Sequence, residues 1–233
     1  MTAFSEHIEA AHHHVSAADW DNIYVVGDPH GCRDELDQLC EELELTETDL
    51  LVFVGDLVRK GPDSKGVVDL VRESPNMLTV RGNNEEKLLR GDKSLPELTD
   101  DDLDWIASLH VVISLPDTLV VHGGIDPRKP HEDHDVDDLQ NVRSMVPGGS
   151  YDPPYWFEQY TGPERVFFGH TVLERPIIRE HAVGLDTGCV YGGELTAYDW
   201  RTDELTAIPA NETAVDRRDE KFIEPKQPAK SEQ

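Results

Sequence analysis

The stretch Ile23-Tyr24-Val25-Val26-Gly27-Asp28-Pro29-His30-Gly31 decides how this chain is read. Four apolar or aromatic residues bounded by turn formers predict a buried strand. Gly27-Asp28 then sets a metal-capable carboxylate where the chain leaves the sheet, and His30 follows two residues later. The arrangement recurs. Leu50 to Val54 runs into Gly55-Asp56, Met77 to Val80 is followed by Gly82-Asn83, and Arg165 to Phe168 by Gly169-His170. A further strand, Thr118 to Val121, ends directly in His122, with Gly123 and Gly124 after it. Gly-Asp at a strand end is a common turn, and one His-Gly-Gly signals little by itself. The ordered set is stronger, because ligands at the carboxyl ends of neighbouring strands converge on one crevice, and glycine beside them lets backbone and ion approach closely.

Asp28, His30, Asp56, Asn83, His122 and His170 make up two carboxylates, three imidazoles and one amide, without a thiolate. That donor set suits manganese, zinc, iron or cobalt rather than a cysteine-based structural zinc. Six side chains suffice for two ions if one carboxylate bridges. Two cations about 3.5 to 4 Å apart can activate an attacking water and clamp the oxygens of an in-line phosphoryl displacement.

Outward from these strands the pattern is β-α-β. Leu36, Leu39, Cys40 and Leu43 share one helix face, and further helices are expected near Val67 to Val71, Glu85 to Leu89 and Asp101 to Leu109. Later strands, at Thr118 to Val121, Arg165 to Phe168, Ala182 to Leu185 and Leu195 to Trp200, have few helices between them, which predicts a second, more antiparallel sheet. Pro127 to Asp138 reads as a loop with His131 and His134 facing solvent. Residues 1–20, with His7, His12, His13 and His14 but no apolar periodicity, read as an arm or short helix outside the core. The domain proper is expected over 21–209, and the polar, charged stretch 210–233 as a disordered tail.

With these residues in place, the chain resembles the phosphoprotein phosphatase (calcineurin-like metallophosphoesterase) family, including its symmetrical dinucleoside tetraphosphatase branch. The carrying motifs are Gly27-Asp28-Pro29-His30-Gly31, Gly55-Asp56 with Gly61-Pro62, Gly82-Asn83, His122-Gly123-Gly124 and Gly169-His170-Thr171, in the family's order. Leu185-Asp186-Thr187-Gly188-Cys189 with Gly192-Gly193-Glu194-Leu195 is similar to its last core motif. The resemblance implies an α/β (α+β) fold, a four-layer α-β-β-α sandwich of two mixed sheets flanked by helices. It also assigns the ligands: Asp28 and His30 to a first metal, Asp56 as bridge, and Asn83, His122 and His170 to a second. Manganese is the expected ion, with iron, zinc or cobalt as alternatives.

Two positions depart from the pattern. The family has Asp-Arg before the Gly-Pro pair and a His, its proposed general acid, directly after the metal-binding Asn. Here those places hold Arg59, Lys60 and Asn84. An amide cannot donate a full proton to a leaving group, a contribution usually worth about 10²- to 10⁴-fold. Substrates whose leaving group needs no proton, such as phosphoanhydrides and aryl phosphates, are therefore favoured over phosphoserine. Lys60, Arg59 and Arg143, the last in a context similar to a family substrate arginine, are candidates for phosphate binding. The alternative for Arg59 and Arg143 is a solvated surface cation. Expected partners are a small phosphorylated substrate, with dinucleoside polyphosphate first, or a phosphoprotein. A catalytically weak metal-bound module that binds nucleotide or protein is the reading from another class, supported by Asn84.

Composition bounds the rest. No stretch reaches the roughly 18 apolar residues of a membrane span, and the N-terminus lacks a secretory pattern, so a cytoplasmic location is expected. Cys32, Cys40 and Cys189 match neither an even disulfide framework nor a paired zinc motif, and read as packing residues. Forty-eight acidic residues against 21 basic ones leave a formal charge of -27, which disfavours binding to DNA phosphates. Such self-repulsion destabilises a compact state unless salt screens it, so a salt-rich host cytoplasm is expected; an acidic face for a basic partner is the alternative. Stability against denaturant should then rise with KCl concentration, and a maximum in dilute buffer would contradict the screening account.

Overall fold

The computed structural model describes residues 4–148 and 151–224. In chain order the first half contains α1 (Glu6–Glu9), β1 (His12–His14), β2 (Ile23–Val26), α2 (Arg33–Glu42), β3 (Leu50–Phe53), α3 (Ser64–Glu73), β4 (Met77–Thr79), α4 (Asn83–Leu89) and α5 (Asp100–Ser108). The second half contains β5 (Val112–Leu115), β6 (Thr118–Val120), α6 (Val136–Asn141), α7 (Trp156–Gln159), β7 (Arg165–Phe168), β8 (Ile177–Ile178), β9 (Ala182–Gly184), β10 (Glu194–Asp199) and β11 (Leu205–Pro209). The strands form two mixed sheets, ordered β11-β10-β2-β3-β4 and β1-β5-β6-β7-β9-β8.

Side-chain alternation explains the layers. Ile23 and Val25 of β2 and Leu50 and Val52 of β3 point between the sheets, where they meet Ile113, Val120, Phe167 and Val183. Their neighbours Val26, Leu51 and Phe53 point outward onto Leu36 and Leu39 of α2, Val67, Val68 and Val71 of α3, and Ile106 of α5. On the other outer face, Val112, Val166 and Phe168 pack against Ile8 of α1, Leu139 of α6, and Trp156 and Phe157 of α7. Period-two strands buried on both faces, covered by helices presenting apolar residues three and four apart, give the four layers α-β-β-α. The helices begin where the sequence supplies caps: the Asp63 carboxylate accepts from Gly66 N at 2.7 Å at the start of α3, and Thr99 and Asp102 cap α5 reciprocally. Among the described residues no helix is long and apolar enough to cross a membrane.

Four expectations need correction. The second sheet is not more antiparallel: β1-β5, β6-β7 and β7-β9 are parallel, and only β5-β6 and β8-β9 are antiparallel. The strand near Leu195 to Trp200 joins the first sheet instead, antiparallel to β2. The crossover from β6 to β7 carries α6 and α7, which leaves enough chain for a parallel return. Residues 4–20 are no arm outside the core, since Phe4 and Ile8 are buried and His12–His14 pairs in parallel with β5.

The third correction concerns 210–224, which is ordered rather than a loose tail. Val215 packs against the first outer core, Ile223 is buried and bridges to Leu173, and Arg217 reaches the crevice described below. Residues 225–233 lie outside the described residues. Fourth, His131 and His134 are buried. Phe4 stacks on His131 with ring centroids 5.0 Å apart, while His134 accepts from Asp126 N at 3.0 Å through Nε2 and donates to Pro130 O at 3.0 Å through Nδ1. The stretch expected to be all loop therefore tucks two histidines inward, and α6 begins within it.

Phe4 and Ile8 each contribute roughly 1.5 to 3 kcal/mol of apolar burial. Ile8→Ala should cost about 2 to 5 kcal/mol of unfolding free energy. A midpoint within error of the parent in denaturant titration would return the segment to the status of a loose arm.

Candidate metal centre

Strand register brings the six sequence-predicted ligands together. Val26, Phe53 and Thr79 are paired across β2, β3 and β4, so Asp28, Asp56 and Asn83 leave one edge of the first sheet. Val120 pairs with Phe167, so His122 and His170 leave the facing edge of the second. Glycine is required where these loops cross: a Cβ on Gly169 would collide with Asp28 Oδ1, and one on Gly82 with Asp56 Oδ1. Of eight non-glycine residues with positive φ among the described residues, five are here: His30, Asp56, Arg59, Lys60 and His170. Left-handed backbone costs about 1 to 3 kcal/mol per residue and persists where surrounding structure over-determines it, typically at functional sites.

Asp56 is the pivot. Its Oδ2 faces His30 Nε2 at 3.4 Å and its Oδ1 faces His122 Nε2 at 3.3 Å, so each carboxylate oxygen has its own imidazole. Both rings are fixed from behind, His30 Nδ1 donating to Val58 O at 3.1 Å and His122 Nδ1 to Val54 O at 2.8 Å. A carbonyl can only accept, so in the neutral rings the lone pair sits on Nε2. Two lone pairs cannot face each other at that distance unless a cation or a proton lies between. On one side the Lys60 ammonium sits 2.6 Å from His30 Nε2. On the other, burial opposes charge on His122, yet Asp56, helped by the Val54 carbonyl, holds its pKa above the ordinary imidazole value. Both positions therefore attract positive charge.

The remaining ligands complete the cage. The nearest ligand atoms of Asp28, Asp56 and His122 lie within 4.8 Å of one another, and Asp28 Oδ1 and His122 Nε2 are buried without a hydrogen-bond partner. The His170 ring packs against His122 with centroids 5.2 Å apart, and the His170 backbone N–H donates to Asp28 Oδ2 at 3.1 Å. Asn83 donates through Nδ2 to Asn141 Oδ1 at 3.2 Å, while its Oδ1 accepts from Asn84 Nδ2 at 2.9 Å. Burial, then the Asp186 and Asp56 carboxylates, raise the pKa of Asp28 well above the usual range. Burial and then Arg143 push His170 well down, and burial and then Lys60 bring His30 down to about 3. Neutral imidazoles beside crowded carboxylates with orphaned acceptors suit divalent cations.

His30, Asp56, Asn83 and His170 line a cavity of about 330 Å³ together with Arg59, Lys60, Asn84 and Arg143. All ten residues singled out from the sequence thus meet at one place, Asp28 and His122 lying buried beside Asp56. A larger cavity of about 560 Å³, around Tyr160, Arg165 and Ile178, shares none of them. Sequence reasoning missed Lys87, Tyr151, Tyr191 and Arg217 in the lining, and left Asp186 without a role there. Lys87 could have been found, since it lies four residues beyond Asn83 on α4. Arg217 could not, because nothing local in 210–224 marks it. Glu85 was missed as well: fully buried, it accepts from Asp56 N at 3.0 Å, Val58 N at 3.1 Å and Gly82 N at 2.8 Å, and so holds the Asp56 loop. Burial and then Asp56 push its carboxyl up to about 7.

Residues 22–181 match the model of the calcineurin-like phosphoesterases. The chain belongs to that family. Among relatives, it is 31% identical to the asymmetrical bis(5'-nucleosyl)-tetraphosphatase PrpE of Halalkalibacterium halodurans, over 85% of this chain and 98% of that one. It is 30% identical to serine/threonine-protein phosphatase 1 of Salmonella typhimurium, over 81% of this chain and 96% of that one. A crystal structure provisionally assigned as a diadenosine tetraphosphatase superposes with a TM-score of 0.77 at 30% identity, covering 86% of this chain and 98% of that one. The calcineurin-like phosphoesterase described here is accordingly a metal-dependent phosphoester hydrolase.

Because a proton on His122 and a divalent cation compete for one lone pair, metal affinity of this phosphoesterase should weaken as pH falls, starting above 6.5, the ordinary imidazole value. Manganese titrations between pH 8 and pH 6 measure this, and an affinity independent of pH would contradict the placement of a metal on His122.

Proposed function

We propose that this phosphoesterase hydrolyses phosphoanhydrides, with a dinucleoside polyphosphate as favoured substrate class, using two divalent cations, manganese in first place. Asp28 and His30 hold the first ion, Asp56 bridges, and Asn83, His122 and His170 hold the second. Bound there, the pair supplies Lewis acidity and an activated water.

The observation that carries the choice of substrate is the fate of Asn84. Its backbone N–H donates to Asp56 Oδ1 at 2.8 Å, its Nδ2 donates to Asp56 Oδ2 and to Asn83 Oδ1, and its Oδ1 accepts from Arg59. The amide is fully engaged in holding the bridging carboxylate, and its neighbour is a guanidinium, which does not surrender protons at neutral pH. At this position the chain therefore offers positive charge to a departing group, not a proton. A phosphate leaving group, with a second pKa of about 6, needs little more. A serine alkoxide needs much more.

The lining supports the same reading. Arg59, Lys60, Lys87, Arg143 and Arg217 surround the cavity in a chain of net charge -27. Several phosphates in a row, each with oxygens to be bonded, match such a ring better than one phosphomonoester does. Tyr151 and Tyr191 hold the cations in place: Arg143 lies over Tyr151 at 4.5 Å, and Arg217 over Tyr191 at 4.7 Å. The Halalkalibacterium halodurans relative supports this substrate class. The Salmonella typhimurium relative favours a second reading, dephosphorylation of serine/threonine phosphoproteins.

With manganese at high salt, diadenosine tetraphosphate and inorganic polyphosphate should turn over at least about 10² times faster than a phosphoserine peptide, with aryl phosphate between, on the scale of a missing general acid. Asp56→Asn should abolish all four activities. Asn84→His should speed the peptide most. Fast peptide cleavage by the parent would favour the second reading, and a substrate ranking untouched by Asn84→His would remove Asn84 as its cause.

A further inference from the structure

A second cluster of metal-capable side chains lies at the N-terminal edge of the six-stranded sheet. In β1 the side chains of His12 and His14 fall on one face, two residues apart, while His13 points the other way and stacks on His110 with centroids 4.8 Å apart. The His12 and His14 rings lie 4.1 Å apart, and Glu9, the last residue of α1, turns its carboxylate onto them. One ligand atom from each of Glu9, His12 and His14 can be chosen so that all three lie within 4.8 Å of one another.

Three features distinguish this cluster from a chance gathering of polar groups. Glu9 Oε2 lies 3.3 Å from His12 Nδ1. With bonds of about 2.0 to 2.1 Å, that separation matches one edge of a zinc coordination tetrahedron. The surrounding atoms orient the donors: Phe4 N donates to Glu9 Oε1 at 2.7 Å, and Ser114 Oγ lies 2.8 Å from His14 Nδ1. The His12 side chain is only 4% exposed, so packing fixes the ring against the other two donors.

The geometry points to an accessory metal site at Glu9, His12 and His14, outside the catalytic centre, that takes a borderline divalent transition ion of the zinc type. Two imidazoles and one carboxylate suit zinc better than magnesium or calcium, which prefer oxygen ligands. The fourth position is open to water, because His14 is exposed and Glu9 partly so. The ion would clip α1 to β1, and through Ser114 to β5, at the three-residue strand that forms the sheet's edge. Its function is to secure the N-terminal segment whose Phe4 and Ile8 close the outer core.

The test uses the full chain with Asp56→Asn, which weakens the catalytic centre, stripped of metal and titrated with zinc against a chromophoric chelator at high salt. This parent should take up one zinc ion that the same chain with His14→Asn does not, and Glu9→Gln should weaken that uptake at least ten-fold. Zinc should raise the unfolding midpoint of the parent by more than that of either variant. Both substitutions are at partly or fully exposed side chains, and equal midpoints in chelator establish that the variants fold; if His14→Asn does not, Glu9→Gln carries the comparison. Equal zinc stoichiometry and affinity in parent and variant would overturn the site. In the chain with Asp56 intact, His14→Asn should leave manganese-dependent hydrolysis unchanged, and loss of that activity would show that the cluster is not separate from the catalytic centre.

Discussion

Everything in the crevice turns on one carboxylate between two imidazoles. Asp56 presents Oδ1 to His122 and Oδ2 to His30 at nearly equal distances, while Val54 O and Val58 O tie down the far side of each ring. Acceptors so arranged repel one another, and the protein does nothing to separate them. It over-determines them instead. Glu85 gathers three backbone amides around the Asp56 loop, five left-handed non-glycine residues are held nearby, and glycines stand wherever a Cβ would block a ligand. The strain and crowding make sense as a cage whose electrostatic deficit positive charge repairs.

The same logic runs outward into the cavity. A chain with 48 acidic residues and 21 basic ones concentrates five of the latter around a cavity of about 330 Å³. Against a strongly negative surface such a ring focuses field lines inward and selects for anions already at the mouth. Arg59 is the informative member, because it engages Asn84. An amide bonded to a guanidinium presents a fixed charge to the crevice and no dissociable proton.

Closure of the outer core explains why the two ends of the chain behave differently from their composition. Phe4 and Ile8 fill a face formed by β5, β6 and β7 with α6 and α7, and cover His131 in passing. At the other end Val215 and Ile223 find apolar partners, which carries Arg217 to the metal side of the sandwich. A few apolar residues separated by polar ones suffice to dock a segment when a preformed surface awaits them.

By itself the sequence determined the parallel strands of the first sheet and the six side chains expected as ligands at the strand ends. Ile23–Val26 and Leu50–Phe53 carry continuous apolar runs ended by Gly-Asp, a signal contained within a few residues, and parallel neighbours put all such ends on one edge. Only the tertiary structure decided which strands joined the second sheet, that β10 belongs to the first, that Phe4 and Ile8 are core, and that Lys87, Arg217 and Glu85 serve the centre. The physical reason is range. A strand or a cap is written in contacts a few residues apart, whereas the pairing of His12–His14 with Val112–Ser114, or the reach of Arg217 to Tyr191, depends on surfaces that exist only after distant segments have packed.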